Sequence, residues 1–118
     1  MHELGIVMKV VEQAEEAAKQ NGVKKVTKLN LEVGEVSSIV PDLFKDAFEW
    51  AKKRTEYLKE CELNMIILAG ISFCRSCKKT YSTTEYAKEC PYCHSQDTYL
   101  VTGNEINIKD LEVEDGDA

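Results

Sequence analysis

The sequence predicts an α+β fold: a small body of two helices and a three-stranded mixed sheet, carrying an inserted four-cysteine module that resembles a zinc ribbon. Three observations point there. Apolar residues recur at helical spacing in the first twenty residues and again after Pro41. They alternate at strand spacing around Leu31, Leu63 and Ile108. Two Cys-x-x-Cys pairs, Cys74 with Cys77 and Cys90 with Cys93, fall between the last two strand patterns. A chain of 118 residues holds one such body with a modest core and a small appendage.

The first helix is expected from about residue 4 to residue 20. Leu4, Val7, Met8, Val11 and Ala18 form its apolar stripe, and Asn21-Gly22 supplies residues that close a helix. Leu29, Leu31 and Val33 alternate with Asn30 and Glu32 in a half-buried strand ending at Gly34. Pro41 suits the first turn of a second helix, whose stripe is Phe44, Ala47, Phe48 and Ala51. Lys52, Lys53 and Arg54 stand where its C-terminal dipole favours cations. Cys61, Leu63, Met65 and Ile67 are expected on the inward face of a second strand. Ile106 and Ile108, then Leu111 and Val113, make a third, with a phase slip at Lys109-Asp110.

Without the cysteine segment the second strand runs into the third, which predicts an antiparallel hairpin. The expected division is therefore a body of residues 1–69 and 103–118, with a module of residues 70–102 inserted at the hairpin tip.

Each Cys-x-x-Cys knuckle turns two thiolates toward one point, and two knuckles complete the tetrahedron that Zn²⁺ prefers. Four sulfurs leave no open position for water, so the pattern indicates a structural zinc and not a hydrolytic one; iron–sulfur or redox dithiols are the competing readings. Lys78 and Lys79 are expected to offset thiolate charge. Cys61, on an apolar strand face away from both knuckles, reads as a small core hydrophobe.

The net charge of −6 repels phosphate backbones, and four thiolates around one dication make it more negative still. The basic clusters Lys24-Lys25, Lys52-Lys53-Arg54 and Lys78-Lys79 are short and diluted by acids. Nucleic acid is therefore an unfavoured partner. No apolar run reaches the ~20 residues of a membrane span, and no secretory signal is evident. Cytoplasmic residence and an intact N-terminus are the expectation. No G-x-x-x-x-G-K-[ST] loop exists, so nucleotide hydrolysis is not this chain's task. No nucleophile–base pair suggests an enzyme.

His2 stands beside the α-amino group of Met1. The amine, the amide of residue 2 and the imidazole can chelate one ion in fused small rings, an array suited to Ni²⁺ or Cu²⁺. Glu3 could add its amide or carboxylate. His94, directly after Cys93, is read as a solvated histidine on a knuckle loop, with metal ligation the alternative.

Met1-His2-Glu3, then Leu31-Glu32-Val33-Gly34-Glu35, the two knuckles, and Gly103-Asn104-Glu105 through Leu111-Glu112-Val113-Glu114 together resemble the HypA/HybF family of hydrogenase maturation nickel chaperones. The resemblance spans essentially the whole chain. It implies a nickel-binding α+β domain carrying a zinc domain. It also implies nickel passed, with a partner GTPase, to the [NiFe]-hydrogenase large subunit, and in some relatives service to urease maturation. By position, Met1 (through its amine), His2 and Glu3 would take nickel, and Cys74, Cys77, Cys90 and Cys93 would hold zinc. A zinc-ribbon module that binds protein or nucleic acid without delivering nickel is the alternative.

Overall fold

Buried positions recur along one side of the first helix, α1 (His2–Gln20): Glu3, Val7, Val10, Val11, Ala14 and Ala18. This is the spacing of one face of a 3.6-residue helix. Met8, expected in the stripe, is instead 47% exposed, and Val10 takes a core place on the opposite flank. Both are apolar, so composition alone did not fix the centre of the buried arc. Asn21 closes the helix by donating both its backbone N–H (3.1 Å) and its side-chain amide (2.7 Å) to the Ala17 carbonyl. The computed structural model describes residues 2–115, with side chains from Glu3 onward; Met1 and the acidic end after Asp115 lie outside the described residues.

Strand β1 (Val23–Gly34) buries Val26, Leu29, Leu31, Val33 and Gly34. Helix α2 (Pro41–Lys52) has Pro41 in its first turn, where no helical hydrogen bond is lost. It buries the expected stripe, Phe44, Ala47, Phe48 and Ala51. The two phenyl rings are fully buried, each contributing roughly 1.5–3 kcal/mol of hydrophobic stabilisation. After α2 the chain turns on Thr55, whose hydroxyl donates to the Lys52 carbonyl and accepts from the Leu58 N–H. The Glu15 carboxylate of α1 caps the same turn, accepting the N–H groups of Glu56 (3.0 Å) and Tyr57 (2.9 Å).

The remaining elements are β2 (Glu62–Leu68), β3 (Ile71–Cys74), β4 (Thr80–Ser82), the one-turn helix α3 (Thr83–Tyr86), β5 (Thr98–Thr102) and β6 (Ile106–Asp115). They build two three-stranded sheets, a mixed sheet ordered β2-β1-β6 and a second ordered β4-β3-β5. In the second, β3 is antiparallel to both neighbours.

The expected hairpin between the second and third strand patterns does not form, because β1 lies between β2 and β6. A tight turn would enforce neighbourhood, but here a long segment separates the two strands and lifts that constraint. The strand that buries the most residues, β1, takes the centre, and β2 and β6, none of whose residues is fully buried, take the edges. The edges are correspondingly more open: Ile67 is 52% and Val113 40% exposed, although both were expected to face inward. Two successive exposed residues, Lys109 and Asp110, mark the phase slip in β6.

The chain clusters into two compact units. One comprises Ile39–Ile66 with the chain up to Leu31 and from Asn107 onward; the other comprises Glu32–Ser38 and Ile67–Ile106. In the first unit the core is formed by α1, β1, α2, Leu58 and Cys61. In the second, Gly34, Gly70 and Gly103 bring three chain segments into backbone contact. A Cβ on Gly34 would overlap the Gly103 carbonyl, and one on Gly103 would strike the Gly70 Cα. The N–H groups of Gly34, Glu35 and Val36 donate across this crossing to the carbonyls of Glu105 (2.6 Å), Leu68 (2.7 Å) and Gly103 (2.8 Å). Two carboxylates bind the same junction, Glu35 accepting from the Gly70 N–H and Glu105 from the Gly103 N–H.

Candidate metal centre

Each cysteine pair sits in a turn of the same construction. After Cys77 the chain takes a left-handed residue, Lys78 (φ 62°), and after Cys93 another, His94 (φ 61°). Lys78 N–H returns to the Cys74 carbonyl at 2.8 Å, and His94 N–H to the Cys90 carbonyl at 2.9 Å. One residue further on, the Lys79 carbonyl accepts from Cys74 N–H (2.9 Å) and the Ser95 carbonyl from Cys90 N–H (3.0 Å). β3 delivers the first knuckle at its C-terminal end, and the loop before β5 supplies the second.

The four Sγ atoms all lie within 4.8 Å of one another. Across the knuckles, Cys74 and Cys93 lie 3.6 Å apart and Cys77 and Cys90 3.5 Å, and all four cysteines are free of disulfides. A tetrahedral ion with metal–sulfur bonds of about 2.3 Å separates its sulfurs by about 3.8 Å. The donor set and spacing fit a metal held by four thiolates. Among the described residues this is the one group of metal-ligating side chains so gathered.

Backbone amides prepare two of the sulfurs for ionisation. The N–H of Cys77, with that of Ser76, pulls the Cys74 thiol down to about 6. Burial opposes ionisation at Cys90, but the amides of Cys93 and Tyr92 outweigh it and lower its pKa. Cys77 moves up, chiefly through burial. At Cys93 the Ser95 amide favours the thiolate, yet burial and the three neighbouring thiols push it up to about 12. Four sulfurs this close do not ionise together without a cation between them.

The surroundings hold the cluster rather than add ligands to it. Tyr81 packs with Cys74 and Cys90, its hydroxyl donating to the Ala87 carbonyl at 2.8 Å. Lys79, expected to offset thiolate charge, places its Nζ 4.7 Å from the Tyr92 ring centroid. Arg75 lies 4.7 Å from the Tyr99 ring centroid and pairs with Asp97 at 3.1 Å. The His94 ring is 76% exposed, with Nδ1 3.4 Å from a Glu89 oxygen, and is not part of the ligand group. Sequence reasoning missed the packing role of Tyr81 and the backbone role of His94. The latter was visible in one signal: Lys78 and His94 occupy matching places after the two knuckles.

Of the three N-terminal candidates, Met1 and the side chain of His2 lie outside the described residues. The backbone is helical from His2 onward, and Glu3 is buried at the start of α1 with 9% exposure. Cys61 is fully buried, and burial pushes its thiol up to about 11, in keeping with a core role. Among the described residues no helix is long and apolar enough to cross a membrane.

Comparison with known proteins places this architecture. Residues 1–113 match the family model described as hydrogenase/urease nickel incorporation, metallochaperone, hypA. The hydrogenase maturation factor HypA of Aeromonas hydrophila is 36% identical, covering 96% of this chain and 99% of the relative. Those of Geobacter metallireducens (36%; 97% and 100%) and Shewanella sp. strain MR-7 (33%; 99% and 98%) are comparable. The solution structure of the Ni metallochaperone HypA from Helicobacter pylori is similar with a TM-score of 0.74. Its sequence is 25% identical, with 97% of this chain and 98% of that one covered. A second HypA solution structure also gives 0.74, at 27% identity and 96% coverage of each chain. By sequence and by fold, the chain belongs to the HypA family, a family of metallochaperones for hydrogenase and urease nickel incorporation and not of enzymes.

Proposed function

We propose that this chain binds Ni²⁺ through its first residues and delivers it to the large subunit of a [NiFe]-hydrogenase, with a GTPase of the maturation machinery as its partner. Membership of a nickel-incorporation family is the observation that carries the reading. The proposed nickel donors are the Met1 amine, the amide and imidazole of His2, and Glu3. A helix whose backbone begins at His2 supports it, because the segment that follows the proposed donors is ordered from its second residue. Glu3, the third proposed donor, is itself buried at the start of that helix. Nickel is cargo here and must leave again.

In the same proposal the four cysteines hold Zn²⁺, which neutralises mutually close thiolates and ties the two knuckles together. Residues 70–102 form the zinc module, and residues 1–69 and 103–118 handle nickel. None of the five cysteines is in a disulfide, which favours a reducing cytoplasm. Urease maturation proteins are a further class of client, since the family serves both enzymes. The experiment is a nickel titration by equilibrium dialysis of protein with its native N-terminus against protein with one residue added ahead of Met1. The extension turns the amine into an amide and is expected to abolish specific binding; equal affinity would refute the terminal site.

A further inference from the structure

The face of β3 that carries Ser72 and Cys74 is packed differently at its two ends. At Cys74, Tyr81 and Cys90 complete a buried cluster. At Ser72 a cleft of about 290 Å³ remains, bounded by Val36, Thr83, Ala87, Thr98 and Leu100, with exposed Lys88 at its rim. Its lining is predominantly apolar. Ser72 is the most buried of these residues, at 4% exposure, and its hydroxyl lies 2.7 Å from that of Thr83. Two hydroxyls carry two protons but share one hydrogen bond, and among the described residues neither has a second partner. One O–H in the cleft is therefore left to donate to an acceptor from outside the chain. The lip is fixed at two points. Tyr81 O–H donates to the Ala87 carbonyl at 2.8 Å, and the Thr98 hydroxyl to the Lys88 carbonyl at 3.0 Å. Ala87 itself stands at φ 53° and ψ −118°, a conformation that an L residue keeps only where its surroundings enforce it, as they often do at binding sites.

We propose that this cleft receives a tyrosine side chain from a protein partner, the ring against the apolar lining and the phenol oxygen on the Ser72–Thr83 hydroxyl pair. Size, charge and hydrogen bonding agree on that group. A cavity of about 150 Å³ already holds a benzene ring, so the cleft has room for a phenol. The one charged residue on it, Lys88, is exposed, so a neutral ligand is favoured over a carboxylate or an ammonium. The spare O–H asks for an oxygen at the inner end of that ligand. A serine or threonine would supply it but leave the apolar lining uncovered, and an asparagine or glutamine would set a polar amide against that lining. A tyrosine combines an apolar ring with a polar tip. Proteins are its source because the family incorporates nickel into other proteins, hydrogenase and urease.

The inference stands apart from nickel binding and is tested on the full zinc-loaded chain. The probes are N-acetyltyrosinamide and N-acetylphenylalaninamide, which differ by the phenol oxygen alone. Titration of nitrogen-15-labelled protein, followed by NMR, is expected to shift the amides of Ser72, Thr83, Ala87 and Leu100 saturably. The tyrosine probe should bind about tenfold more tightly, the worth of one well-made hydrogen bond to a buried donor. Ser72→Ala combined with Thr83→Val removes both hydroxyls and should make the two probes bind equally. Leu100→Trp fills the cleft and should bind neither, with zinc content as the check on folding in each variant. The comparison on the native chain decides the matter even where a variant fails that check. No saturable shift at these amides, equal binding of the two probes by the native chain, or a preference that survives in the folded double variant would each overturn the proposal. Tighter binding of free p-cresol than of N-acetyltyrosinamide would overturn the protein source.

Discussion

Lys78 and His94 hold equivalent places in the two knuckles: each follows a second cysteine, each is left-handed, and each returns its N–H to the first cysteine's carbonyl. The backbone therefore accounts for both residues without metal ligation by either. His94→Asn, which keeps a residue tolerant of that conformation, is expected to leave zinc content and the melting temperature unchanged. His94→Val should keep zinc but destabilise the module by about 1–2 kcal/mol, because a β-branched residue is strained at positive φ. Zinc loss in His94→Asn would show that the imidazole is a ligand after all.

Removing one sulfur tests the metal site itself. Cys74→Ala or Cys93→Ala is expected to release zinc and unfold the second unit, since such sites contribute on the order of 10 kcal/mol to small folds. Trp50, the sole tryptophan, lies in α2 of the first unit, so its fluorescence should persist in both variants. Elemental analysis beside the emission spectrum makes the comparison; full zinc retention in either variant contradicts the four-sulfur assignment.

Cys61 gives the first unit an alkaline weakness. Its folded pKa is raised to about 11 by burial, against roughly 8.5 in an unfolded chain. The stabilisation is fully present below pH ~8.5 and is lost as pH rises toward 11, since the unfolded state ionises first. Urea unfolding followed by Trp50 emission should show about 3 kcal/mol of this loss in the native sequence. In Cys61→Ala that component should vanish, at the expense of about 1 kcal/mol near neutrality from the small cavity. Parallel pH curves for the two proteins would remove the basis for this prediction.

The crossing of Gly34, Gly70 and Gly103 leaves no room for a side chain. Gly34→Ala is expected to destabilise the second unit by on the order of 3 kcal/mol or more, because the obstacle is backbone that cannot rotate away. Gly22→Ala makes a useful contrast: nothing lies within 4 Å of its Cβ, so its effect is limited to backbone strain at positive φ. Limited proteolysis of the two variants should separate them clearly, with Gly34→Ala cut far sooner in residues 67–106.

What could be read in the sequence was local. The α2 stripe and the cysteine knuckles rest on spacings of a few residues, and both stand as expected. Registers decided by distant partners were less visible. Met8 and Val10 are equally apolar, and only the elements packed on α1 chose between them. Strand order depended on β1 being able to enter between β2 and β6, which no short window encodes. The same holds for residues 32–38, which cluster with the cysteine unit because Gly34, Gly70 and Gly103 meet there from three separate stretches of chain. For the N-terminal donors, the sequence remains the source of the proposed chelate, with the helix start at His2 as its structural support.

Nickel and zinc stoichiometry, determined on the same preparations of native protein and His2→Ala, tests the account most directly. His2 precedes the first buried position of α1, Glu3, so the substitution removes an imidazole and changes none of the core residues Val7 through Ala18. The account predicts that His2→Ala loses specific nickel binding by equilibrium dialysis, while zinc content and helix content stay at the native level. Native binding should also weaken as pH falls from about 7.5 to 6, where the amine and imidazole protonate. Unchanged nickel affinity in His2→Ala, with zinc still in place, would contradict it.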